Sequence, residues 1–363
     1  MEEVLNVKNG TQESFLALIR LGVGHSAGDL PQTIDWHAVK TLAIQQGLMA
    51  IVIDGIEKLP ESFRPPKVVL LEWIGQVLQD YERRYELYCR SIAEMAGFYN
   101  THNLKMMVLK GYACSLDWPN PGHRPVGDID IWQFGEYKKA DFLLEKEKGI
   151  SVDTTHHHHT VFCWRGFTVE NHYDFINIHH HKSHIALEKI FKELGRDDSY
   201  YGNVYEEQVY LPSPNLHALF LLKHLMLHFA SGKINFRQLL DWAFFVKIHG
   251  KDVDWKWFYE VIDEFHMRDF FDIINAICVE NLEFDASYFP DFKYSPIIKD
   301  KVFEDLFSAG LDGGMPTKIL PRIVWKIRRW KKNKWKHQLC YDESMWSAFW
   351  SGVWSHLLKP SSI

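Results

Sequence analysis

Residues 108–132 read VLKGYACSLDWPNPGHRPVGDIDIW, and the closing Gly127-Asp128-Ile129-Asp130-Ile131 decides how the chain is read. Two acids sit one residue apart in an otherwise apolar run. On a β-strand alternate side chains share a face, so Asp128 and Asp130 point together while Ile129 and Ile131 point into a core. The carboxylates then lie about 7 Å apart along the strand. Mutual repulsion makes such a pair costly unless a cation sits between its members. Just upstream, Lys110-Gly111 marks a turn with open backbone. Carboxylates for a divalent ion beside open backbone for an anion are what a phosphate-binding metal site needs.

Working outward, the period changes on either side of this segment. Upstream, Phe15 to Ile19 begins one helix, and Ile34 to Leu48 makes a second with Asp35 as its cap. Pro65-Pro66 opens a long pattern. Val69, Trp73, Val77, Tyr81, Tyr85, Tyr88, Ile92, Met95 and Tyr99 recur every three or four residues, which predicts one long helix with a kink near Gly97. Met106 to Leu109 reads as a short buried strand and Gly127 to Trp132 as the acidic one. Glu136 to Lys148 reads as a helix closed by Gly149. Thr160 to Trp164 and Phe167 to Phe175 read as strands joined by an Arg165-Gly166 turn, with Glu170, His172 and Asp174 on one face. After Pro212 and Pro214 the pattern is helical again: Leu216–Phe229, Phe236–Ile248, Trp255–Phe265 and Arg268–Val279 form a bundle. These shifts divide the chain at 1–104 (helical), 105–181 (α/β core), 182–287 (bundle) and 288–363 (a basic, tryptophan-rich helical extension). The expected class is α+β, a small mixed sheet flanked by helices.

Bulk properties narrow the function. At 363 residues the chain can hold two or three domains. A net charge of −6 gives no overall bias toward nucleic acid. The cysteines (Cys89, Cys114, Cys163, Cys278, Cys340) are odd in number and unpaired in spacing, which points to reduced thiols and a cytoplasmic location. MEEVLNVKNG is not a signal peptide, and no apolar run reaches the ~20 residues that span a bilayer. The 14 tryptophans fit large helical surfaces packed on one another.

The residues point to nucleotidyl transfer. Backbone N–H groups after Gly111 would hold a triphosphate, and Asp128 and Asp130 would ligate Mg²⁺. A third carboxylate on a neighbouring strand would hold a second ion, since two metals about 4 Å apart stabilise the entering and leaving oxygens of an in-line displacement. LKGYACSLDWPNPGHRPVGDIDIW resembles the polymerase-beta-type nucleotidyltransferase superfamily, in particular a bacterial group of uncharacterised members with a Leu-Lys-Gly turn, an Arg-Pro loop and a Gly-Asp-Ile-Asp strand. That group's following strand, roughly Val-Glu-x-His, is matched by Val169-Glu170-Asn171-His172. Its downstream helices are matched by LPSPNLHALFLLKHLMLHF and RQLLDW. The resemblance implies Asp128 and Asp130 as metal ligands, Gly111 as the phosphate turn and Glu170 as the third acid, with Asp174 and Asp153 in reserve. Gly111 is followed by Tyr112 rather than by Gly or Ser, which implies a cradle made of backbone alone.

Around these, Lys110 and Arg124 are candidate phosphate contacts, and Tyr112, Gly127 and His172 are placed beside the nucleotide. The runs His156–His159 and His179–His181 lack cysteine or acid neighbours in sequence and read as structural. His224 and His228 lie one helical turn apart without the glutamate of a zinc helix and read as packing or substrate contacts. Arg237 and Asp241 read as a local i,i+4 ion pair. The segment from Lys318 to Lys336 interleaves Lys and Arg with Trp325, Trp330 and Trp335. It reads as a solvated helix packed by its aromatic stems, with weak membrane or nucleic-acid contact as the alternative. Trp346, Trp350 and Trp354 form a further stripe. The expected function is Mg²⁺-dependent transfer of NMP from an NTP to an unidentified acceptor hydroxyl. The alternative is a non-catalytic nucleotide- or partner-binding module on the same fold.

Overall fold

The computed structural model describes residues 2–28, 30–179, 181–308 and 319–342. Helices α1 (Glu2–Gly22), α2 (Trp36–Gln46), α3 (Met49–Glu57), α4 (Lys67–Val77) and α5 (Arg83–Thr101) come first. Strand β1 (Met107–Val108), helix α6 (Gly111–Ser115), strand β2 (Ile129–Trp132), helix α7 (Tyr137–Leu143) and the hairpin β3 (His159–Trp164) and β4 (Phe167–His172) follow. Then come α8 (Ser183–Leu194), a second hairpin β5 (Tyr201–Val204) and β6 (Glu207–Tyr210), and helices α9 (Pro214–Ser231), α10 (Phe236–His249), α11 (Trp255–Glu264), α12 (Arg268–Glu280), α13 (Pro296–Phe307) and α14 (Ile319–Cys340). The class is α+β, as expected. The Trp346, Trp350 and Trp354 stripe lies outside the described residues.

Local chemistry sets many of these boundaries. Asp35 caps α2 by accepting from Ala38 N, and Gly47 closes the helix in the left-handed region. Asn235 and Gln238 form a reciprocal capping box at the start of α10. Arg165 and Gly166 both take positive φ, as a tight β3–β4 hairpin requires. The long pattern from Lys67 is helical through to Thr101, with a π turn at Leu78–Glu82 where the sequence pattern gives no sign of one. Gly97 answers to a different constraint. The Glu207 carboxylate lies 2.8 Å from where its Cβ would stand.

The six strands form one mixed sheet in the order β3-β4-β2-β1-β6-β5, which puts the acidic strand near its centre. β2 runs parallel to β4 and antiparallel to β1. The hairpin β5–β6, absent from the sequence expectation, enters through a parallel pairing of β6 with β1. One sheet face carries Val108, Ile129, Ile131, Phe162 and Val169 against Tyr88, Ile92 and Tyr99 of α5. The other carries Met107, Leu109 and Trp132 into a larger core shared with α1, α3, α9, α10 and α12. The alternation read from the isoleucines is therefore real, and it turns the acids toward the bundle side.

Loop 116–127 is clamped to that bundle. Arg124 grips Asp241 of α10 with two parallel hydrogen bonds (Nε–Oδ1 2.7 Å, Nη2–Oδ2 2.9 Å), and Trp118 Nε1 donates to the same carboxylate at 2.9 Å. This corrects two expectations. Arg124 is buried and committed to Asp241 rather than free for phosphate, and Asp241 pairs with Arg124 rather than with Arg237 one turn away. On α14, Lys336 is buried against Asp305 and the Gly232 carbonyl, and Trp335 packs on Phe229, so part of the basic segment is packing surface. Removing one partner of a buried pair strands the other. Arg124→Met should lower unfolding free energy by about 3–5 kcal/mol in urea titrations. Adding Asp241→Asn in that background should recover part of the loss.

Candidate active site

The site begins where β1 ends. Leu109 N donates to the Asp130 carbonyl at 2.9 Å, which fixes the turn against β2. Lys110 follows with φ +37°, a left-handed backbone that a non-glycine residue holds only under constraint. Gly111 then opens α6. A Cβ there would stand 2.5 Å from the Tyr88 hydroxyl and 3.6 Å from the Asp128 carbonyl, so only glycine fits. The buried Tyr88 hydroxyl itself donates to the Asp128 carbonyl at 3.1 Å and holds the approach to β2. The first N–H groups of α6 have no acceptor within the helix. Tyr112, expected beside the nucleotide, turns its side chain into the core around α5, and its hydroxyl is pushed up to about 12 by burial. Gly127 is exposed immediately before Asp128.

Register brings a further carboxylate beside Asp130. Asp130 and Glu170 are direct neighbours across the parallel β2–β4 pair, and His172 lies two residues along β4 on the same face. One donor atom from each of Asp130, Glu170 and His172 lies within 4.8 Å of the others. Asp128 precedes β2, is exposed, and stands outside that tight group, although by alternation it shares Asp130's face. The reserve acids go elsewhere: Asp174 pairs with Lys192, and Asp153 is exposed and accepts from Thr155 N.

Two cations hold Asp130. Lys110 Nζ is 2.7 Å from Oδ1, and His172 Nε2 donates to Oδ1 at 3.1 Å. Burial alone would raise the Asp130 pKa, but these partners outweigh it and hold the carboxyl well below its usual range. His172 experiences the converse. Burial would lower it, yet hydrogen bonds to Asp130 and Glu170 raise it to about 8. Its Nδ1 meets the Asp174 carbonyl at 3.2 Å, so both ring nitrogens have acceptors, as an imidazolium needs. Asp128 differs. Burial and the charges of Asp130 and Glu170 raise its pKa, and among the described residues no ion pair holds it.

Helix α9 closes over this face. Phe220 sits 5.4 Å from Lys110 Nζ and edge-on to His172. One turn on, His224 packs against His228 with ring centroids 4.3 Å apart. Burial, then the nearby charge of Lys110, keeps both histidines below their ordinary pKa. Arg237 of α10 is half-buried, and its charge acts on Asp128, His224 and His228. Among the described residues it makes no ion pair. In sequence it passed for Asp241's partner; only the distant Arg124 reveals it as unclaimed.

A family model described as uncharacterised nucleotidyltransferase matches residues 32–283, a span that holds every residue of this site. The chain belongs to that nucleotidyltransferase family. No curated protein and no solved structure matches it. Membership fits the geometry: carboxylates from adjacent strands lie beside a glycine turn. No helix among the described residues is long and apolar enough to cross a membrane.

The donor set suits a hard divalent ion. Three carboxylates share one sheet face; Lys110 pairs with Asp130, and His172 lies against both Asp130 and Glu170. Two outcomes are expected. In metal-free protein the His172 ring should titrate near pH 8 by NMR. The thermal stability of wild type over His172→Gln should be full below pH 6.5 and shrink as pH rises through about 8, because the folded state holds the proton more tightly than the unfolded one. Gly111→Ala should cost about 1–3 kcal/mol by overpacking against Tyr88. Tyr88→Phe should relieve part of that cost, read from paired denaturation curves.

Proposed function

We infer that this chain moves a nucleoside monophosphate from a nucleoside triphosphate to an acceptor hydroxyl, releasing pyrophosphate. The observation that carries this reading is the β2–β4 register. It sets Asp130 beside Glu170 on parallel strands, one turn from Lys110-Gly111. Asp128 and Asp130 would hold Mg²⁺ against the phosphate oxygens, and Glu170 would help hold a second ion near the acceptor. Bound there, the ions would neutralise charge on the reacting phosphoryl group and on the leaving pyrophosphate.

The chain's own residues supply the rest. The opening amides of α6 face the phosphates from the Gly111 turn. Lys110, once it leaves Asp130, offers a point charge to the same oxygens. Arg237 takes the guanidinium role first assigned to Arg124, since it is half-buried, its charge acts on Asp128, and it makes no ion pair among the described residues. His172 positions Asp130 and Glu170 through its Nε2 proton. It touches the metal ligands rather than the substrate, which makes it a positioning residue. Helix α9 excludes water from the Lys110 side of the site with Phe220.

The test uses each of the four NTPs labelled at the α-phosphate, with Mg²⁺, followed by label transfer and pyrophosphate release. EDTA should abolish both. Asp128→Asn should reduce transfer at least about 100-fold, the loss expected when several kcal/mol of metal-borne stabilisation go. Its thermal midpoint in EDTA should stay level or rise slightly, because the raised pKa of Asp128 marks a charge the fold holds unwillingly. Transfer that survives both EDTA and Asp128→Asn overturns the metal assignment. Mg-NTP binding with no transfer to any acceptor fraction would mark a binding module instead.

A further inference from the structure

The run His156–His159 leads into β3, and the fold gives it a partner the linear sequence does not show. β3 pairs with β4 so that His159 stands opposite His172. The amides of Tyr173 and Asp174 both donate to the His158 carbonyl at 3.0 Å, which draws His158 across the end of β4. The three rings converge: His158–His159 centroids are 4.2 Å apart, His159–His172 5.3 Å and His158–His172 5.7 Å. One nitrogen from each lies within 4.8 Å of the other two.

Two further features point to a ligand. His159 is 7% exposed, and its Nδ1 is buried with no hydrogen-bond partner. That nitrogen lies 3.8 Å from Glu170 Oε2, which is itself 3.6 Å from His172 Nε2. His172 places its Nδ1 on the Asp174 carbonyl, the outer contact that commonly orients a metal-binding imidazole with Nε2 inward.

We propose that His158, His159 and His172 form a nitrogen-donor site for a borderline divalent cation of the Zn²⁺ or Co²⁺ type, with Glu170 as the adjoining oxygen donor. Three imidazoles and one carboxylate or water make a tetrahedral set that such ions favour and Mg²⁺ does not. Tetrahedral binding brings the nitrogens to about 3.3 Å from one another, inside the 4.8 Å within which they already lie. Binding releases the Nε2 proton of His172 to solvent and takes that nitrogen from Asp130. The site is therefore coupled to the carboxylates at its edge. It stands whether or not the chain transfers nucleotides, because its readout is metal binding alone.

Metal-free full-length protein is titrated with Co²⁺ and followed by visible d–d absorption, then with Zn²⁺ in competition with a chromophoric chelator. One equivalent of tetrahedral Co²⁺ is expected, displaced by Zn²⁺ and untouched by excess Mg²⁺. His159→Ala and, separately, His158→Ala should each weaken Co²⁺ at least tenfold. The double variant His157→Ala/His179→Ala, which removes a neighbouring histidine pair, should leave it unchanged. Circular dichroism identifies any variant that has failed to fold, and His158→Gln then takes its place. No tetrahedral band, or a band lost equally in the His157/His179 variant, overturns the proposal and marks adventitious chelation by the run.

Discussion

A buried carboxylate at the centre of a sheet is the constraint around which this molecule is organised. Asp130 is 4% exposed on β2 with core on both sides of the strand. An unpaired charge there would cost several kcal/mol even after relaxation. Lys110 and His172 offset that cost, and each imposes a demand of its own. Lys110 reaches Asp130 only because the chain turns sharply at φ +37°, and the next residue must be glycine because Tyr88 occupies the space a side chain would need. His172 reaches it only because β4 lies parallel to β2 in one register; a slip by one residue would turn His172 and Glu170 to the opposite face.

The helices outside the sheet serve the same end. Arg124, Trp118 and Asp241 tie the loop that leads into β2 onto α10. On the other flank His123 bridges Asp54 of α3 at 2.7 Å and Glu82 at 3.1 Å, so the loop is gripped from both sides. Glu82 ends the π turn between α4 and α5, and that wide turn brings its carboxylate to the loop. Phosphate and metal sites need ligands held within fractions of an ångström. These contacts hold the twelve-residue loop that leads to Asp128 from both sides.

Features set by local pattern were legible before the fold was known. The Asp-x-Asp alternation, the Asp35 cap, the Arg165-Gly166 turn and the four bundle helices each follow from side chains a few residues apart, where period and turn chemistry decide. The strand holding Glu170 was legible by its alternation, and the resemblance singled out Glu170, which the fold sets opposite Asp130. What sequence could not show depends on contacts between distant segments. Arg124 meets Asp241 across 117 positions, and that two-bond pairing occupies Arg124 and leaves Arg237 without an ion pair among the described residues. The β5–β6 hairpin went unseen because Tyr201-Gly202-Asn203-Val204 is a short, partly exposed edge strand with little apolar alternation. The histidine run looked inert because its third partner, His172, belongs to a different strand.

The protonation of His172 joins these pieces. As an imidazolium it serves as a counter-ion, and with Lys110 it gives Asp130 two of the positive charges a divalent ion would bring. Asp128 makes no ion pair among the described residues, and desolvation first, then the charges of Asp130 and Glu170, raise its pKa. The resting site is thus balanced at its buried acid and unbalanced at its exposed one. On the function proposed above, Asp128 would be the first carboxylate to meet a divalent ion, and Lys110, once displaced from Asp130, would be the chain's own positive charge for the phosphates.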